Sequence, residues 1–89
     1  MSMIERIRGL YIVYMVLKKA RQGSIVSEIM AVHKSSTVFR YIGMLENMGY
    51  ISCSEIRKGK TRAKLCYTTE KGEKLLSLIE EIKKLDQAP

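Results

Sequence analysis

Leu10 to Leu17 is an unbroken apolar run of eight residues, LYIVYMVL. A helix that is apolar on every side has to be covered on every side. The run is far shorter than the roughly 20 residues that cross a bilayer, so protein must do the covering. Apolar positions recur at Ile4, Ile7, Leu10, Tyr14 and Leu17, and no proline interrupts them. This spacing predicts a helix over residues 3–21, ended by Gln22-Gly23 with glycine in the left-handed cap position. A chain of 89 residues has little other material to wrap such a helix. A second subunit is therefore expected to cover part of it.

That length fits one small domain over residues 1–89 and excludes a multi-domain enzyme. The net charge is +7, and it is unevenly placed. Residues 1–23 hold five basic groups against one acid, and residues 34–64 hold seven against Glu46 and Glu55. Residues 65–89 are nearly balanced. A polyanionic partner is the reading this pattern favours. No secretory signal is visible, because Glu5, Lys18, Lys19 and Arg21 fall where an apolar leader and small-residue cleavage site would be. A cytoplasmic protein with no membrane association is expected.

Further along, Ser24 offers an N-cap, and Ile25, Ile29 and Val32 follow at helical spacing, predicting a short helix over 24–32. His33 to Ser36 is polar and reads as a turn with a new N-cap. A third helix is predicted over 36–48, with Val38, Tyr41, Ile42, Leu45 and Met48 apolar and Gly49 as its stop. Residues 50–56 and 63–68 then alternate around Arg57-Lys-Gly-Lys-Thr-Arg62, the pattern of a β-hairpin. With Gly59-Lys60 as the turn, paired residue numbers sum to 119. The expected core face holds Ile56, Ala63, Leu65 and Tyr67, and the expected wet face holds Glu55, Arg57, Arg62 and Lys64. Thr68 or Thr69 can cap a last helix over 69–86, whose Leu75, Leu78, Ile82 and Leu85 form a coiled-coil-like stripe.

Helix, helix, turn, helix, basic-tipped hairpin, helix predicts an α+β, mostly helical domain. It has three helices, a two-stranded wing hairpin and a C-terminal dimerisation helix, the order of a winged helix-turn-helix. Residues 24–48 form the helix-turn-helix, 50–68 the wing, and 3–21 with 69–86 the dimerisation helices. A helix fits the major groove and presents its first residues to base edges. A tip lined with Arg and Lys can lie along the flanking backbone or enter the minor groove. Candidate DNA contacts are Lys34, Ser35, Ser36, Thr37, Phe39, Arg40 and Met44 from the helix side. From the wing they are Arg57, Lys58, Lys60, Arg62 and Lys64. Phe39 can touch a thymine methyl or fold back onto the second helix, and both stay open. Arg40 can reach a guanine edge or a phosphate, or pair with Glu46. The candidate dimer interface is Leu10, Tyr14 and Leu17 with Leu75, Leu78, Ile82 and Leu85.

Ser36-Thr37-Val38-Phe39-Arg40-Tyr41-Ile42, followed by Leu45-Glu46-Asn47-Met48-Gly49-Tyr50-Ile51, resembles the recognition-helix signature of winged-helix regulators of the MarR and PadR kinds. Tyr67-Thr68-Thr69-Glu70-Lys71-Gly72 is similar to their wing-end motif, with Thr68 where leucine is usual, and Arg62 stands where a wing arginine is common. The resemblance spans about residues 24–75. It implies a homodimer that binds palindromic DNA and regulates transcription, and in size the chain is similar to small archaeal, plasmid and viral versions. Between Ser27-Glu28 and Ser36-Thr37 it is two residues shorter than the commonest spacing, which implies a trimmed second helix or turn.

Catalysis is not expected, since no Ser-His-Asp, Cys-His, paired-carboxylate or phosphate-loop arrangement is visible. One histidine, His33, and two separated cysteines do not make a metal site, and no cofactor is implied. The six methionines read as core filler. Cys53 and Cys66 fall opposite each other in the hairpin register. Two free thiols are the favoured expectation, with a cross-strand disulfide as the alternative. Nothing in the sequence identifies an effector pocket. Two other readings stand beside a regulator: a DNA-coating partition or chromatin protein with little sequence choice, and a protein-interaction module.

Overall fold

The apolar run becomes the innermost helix of the fold. The computed structural model describes residues 8–32 and 36–87, and α1 spans Arg8–Ala20. The part of the predicted first helix before residue 8 lies outside the described residues. Ile12, Tyr14, Met15, Val16, Leu17 and Ala20 are buried, and Tyr11 is the exposed member of the run. α2 (Val26–Val32), α3 (Ser36–Asn47), α4 (Glu70–Gln87) and a three-stranded sheet surround it. One chain closes over most of the run, leaving Tyr11 exposed and Leu10 and Val13 half-buried. Each fully buried aliphatic residue such as Leu17 contributes on the order of 1.5–3 kcal/mol.

The sheet has one strand more than the hairpin expected. β2 (Ile51–Lys58) and β3 (Thr61–Thr68) pair antiparallel, and β1 (Ser24–Ile25) adds to the other edge of β3. Ser24 is therefore a strand residue opposite Cys66 and not the cap of α2. Its hydroxyl donates to the Lys19 carbonyl at 2.8 Å, so it serves the end of the preceding helix. The start of α2 is served by Glu28, whose carboxylate accepts from the Ile25 N–H at 3.1 Å.

The predicted register is the observed one, from Ile51↔Thr68 through Cys53↔Cys66 to Lys58↔Thr61. Gly59 takes φ +68° and Lys60 does not adopt positive φ, the pattern of a type II′ turn, which needs glycine first. The two faces are the reverse of the expectation. Ile51 and Cys66 are buried, and the Thr68 hydroxyl donates to the Leu17 carbonyl at 2.7 Å. Their face is the core face. Tyr67 lies against Gly23 on the outside and is exposed. Ile56 and Ala63, near the tip, are half-buried and stand outside the core cluster, so their apolar character does not choose the face. The choice is made at the hairpin base, where β2 leaves α3 and β3 meets α4.

Cys53 and Cys66 are joined by a disulfide, with Cα atoms 4.0 Å apart. This corrects the expectation of free thiols. Directly opposed positions on neighbouring strands bring the two sulfurs within bonding reach.

Candidate nucleic-acid interface

α3 is anchored on one side and open on the other. Val38, Ile42 and Leu45 are buried at helical spacing, and Ser36, Phe39, Arg40, Met44 and Asn47 are exposed. Its end is closed by Gly49, at φ +82°. There the Gly49 N–H donates to the Glu46 carbonyl and the Tyr50 N–H to the Leu45 carbonyl. The first turn of α4 adds a clamp. Thr69 donates its hydroxyl to the Gly49 carbonyl at 2.6 Å, and the same oxygen accepts from the Gly72 N–H, capping α4. Lys71 reaches the Met48 carbonyl at 2.7 Å while its ammonium sits 4.5 Å from the centre of the Tyr50 ring. The wing-end motif is thus a structural latch that fixes α3 against the sheet. The sequence reading missed this role. The two consecutive threonines were its visible signal, and Thr69 proves to be the cap while Thr68 ties β3 to α1.

Phe39 is 62% exposed, which excludes folding back onto α2. Arg40 forms no ion pair with a described residue; Glu46 instead binds Lys64 at 3.1 Å. That pair is solvent-exposed and stabilises by no more than about 1 kcal/mol, but it holds β3 beside the end of α3. Lys64 thereby becomes a bridging residue between wing and helix. Arg62 lies on the same sheet face, about 7 Å further toward the tip. It stands directly across from Arg57, and like charges in that position repel. Arg57, Lys60 and Arg62 are all exposed. A tip that brings cations together without an acid among its own residues favours a polyanion beside it. Lys34 and Ser35, together with the side chain of Lys58, lie outside what is described, as does His33.

The proposed dimer residues fall into three groups. Tyr14 and Leu17 are sealed inside their own chain, Leu10, Leu75 and Ile82 are half-buried, and Leu78 and Leu85 are 58% and 75% exposed. A shallow hollow of about 340 Å³ is bordered by Tyr11, Tyr14, Met15, Lys18 and Lys19. Lys18 of α1 and Lys83 of α4 both donate to the Tyr14 hydroxyl oxygen, at 3.3 and 3.4 Å. The four-residue step from Tyr14 to Lys18 is visible in the sequence; the arrival of Lys83 depends on the packing of α4. Among the described residues, no helix is long and apolar enough to cross a membrane.

Comparison with curated proteins and with solved structures finds no match. The sequence does match the family model described as winged helix-turn-helix, over residues 8–87. That span takes in every element from α1 to α4. With its helix pair, its basic-tipped hairpin and this match over nearly its full length, the chain belongs to the winged helix-turn-helix family.

Proposed function

We propose that this protein is a sequence-specific duplex DNA-binding protein, a homodimeric regulator of transcription and not an enzyme. The observation that carries the reading is the pairing of an uncovered α3 face with an exposed, cationic wing tip, the two elements being linked by the Lys64–Glu46 ion pair. α3 enters the major groove, with Arg40 at base edges or phosphate and Ser36 and Thr37 near the backbone. Arg57, Lys60 and Arg62 grip flanking phosphates or the minor groove. Leu78 and Leu85, one heptad apart and exposed, support pairing of two copies through α4. Two α3 helices then address half-sites ~10 bp apart, centre to centre.

Selection of bound duplexes from a random library, with the complex sized in solution, tests this. The expected result is a short sequence with two-fold symmetry bound by two chains. Arg40→Ala should relax the preference at one position of each half-site, whereas Lys60→Ala should weaken all sequences alike. Enrichment of no sequence would favour a DNA-coating role. Failure to bind any duplex at low salt would favour a protein partner, a reading to which the exposed Phe39, Met44 and Met48 lend support.

A further inference from the structure

The middle of the open side of α3, from Phe39 to Met44, is poor in hydrogen-bonding groups for a surface expected to read bases. Arg40 is its one exposed charged side chain, since Glu46 is bound to Lys64. The large groups it displays are apolar: Phe39 at 62% exposure and Met44 at 41%. Gly43 lies between them, and a Cβ added there would meet nothing within 4 Å. Phe39 and Gly43 stand one turn apart, as do Arg40 and Met44, so the four positions make one patch. Arg40 and Met44, with Tyr41, border a shallow hollow of about 330 Å³ at its edge.

A patch of this kind needs an apolar partner carried on an anionic surface. The flanking wing cations and the net charge of +7 supply the charge complement to a phosphate backbone. The major groove displays one apolar group, the C5-methyl of thymine. We propose that Phe39, Gly43 and Met44 seat thymine methyl groups, so that sequence preference rests largely on methyl contacts, with Arg40 beside them on a neighbouring guanine. The inference rests on the duplex-binding reading above. The Phe39 ring offers a flat apolar wall. Bare backbone at Gly43 lets α3 come close to the base edge. The unbranched Met44 side chain adjusts to the methyl's position.

The test uses the duplex recovered by selection, with deoxyuridine replacing thymine one position at a time. This keeps every hydrogen-bonding group and removes only the methyl. The intact protein should bind about fourfold more weakly at each contacted thymine, the factor for one buried methylene-sized group. Phe39→Ala and Met44→Ala should each weaken binding to the thymine duplex and abolish the further loss at their own position. Both side chains are exposed, so these variants should keep the parent's melting midpoint. Equal affinity for thymine and uracil at every position would overturn the inference. So would Phe39→Ala and Met44→Ala variants that retain the full thymine preference throughout. Absence of binding to any duplex at low salt would overturn the duplex-binding reading itself, a result distinct from tight binding without methyl preference.

Discussion

Gly43 and Gly72 both sit inside helices, where glycine ordinarily costs about 1 kcal/mol relative to alanine. Their surroundings are opposite. Gly43 faces open space, while a Cβ at Gly72 would collide with the Tyr50 carbonyl oxygen. Gly72→Ala should therefore destabilise by about 1–3 kcal/mol as β2 and α4 are forced apart, lowering the melting midpoint by roughly 4–24 °C. Gly43→Ala should raise it. Thermal unfolding by circular dichroism reads both, and equal shifts of the same sign would contradict this packing. The sequence showed Gly72 only as a motif member. Its close approach to Tyr50 joins residues far apart in the chain, so local pattern could not reveal it. Arg40 was legible because a helix with a clear apolar stripe leaves its remaining positions outward. Its freedom from Glu46 was not, because Lys64 comes to that carboxylate from another element.

Among the elements, the wing shows what a sequence pattern specifies and what it leaves open. Its register follows from Gly59 and the two-residue turn, since turn length pins strand pairing. Its inward face was misread because alternation marks two faces without naming the buried one. β1 escaped notice because two residues are too few to alternate. The disulfide follows from the register, yet a sequence alone does not report the oxidation state. Cys53 and Cys66 are 13 residues apart, and closing a loop of about that size stabilises by roughly 3 kcal/mol. Reduction should lower the melting midpoint by more than about 10 °C. A Cys53→Ala/Cys66→Ala double variant should start low and ignore the reductant. An unchanged midpoint on reduction of the parent protein would show that the bridge contributes nothing to the fold.

At the scale of the whole molecule, the chain measures 52 × 26 × 19 Å. Leu78 and Leu85 of α4 are far more exposed than Leu76 and Ile79, which face the core. The stripe was legible from its heptad spacing, whereas the division of labour along it was not. Leu75 and Ile82 pack partly against the chain's own core, leaving Leu78 and Leu85 as the free pair. Under the proposed pairing through α4, Leu78→Glu/Leu85→Glu should halve the mass measured by light scattering while leaving the helical content intact, and should weaken binding to paired half-sites far more than to one. A mass unaffected by the change would place any pairing elsewhere.

If the outer side of α3 and the tip of the wing hold a duplex, adding a selected duplex to the labelled protein should shift the backbone amides of those two regions. The changes should concentrate at residues 36–44 and 57–62 and fade as salt is raised. Changes confined to α1 and α4, with α3 undisturbed, would contradict it.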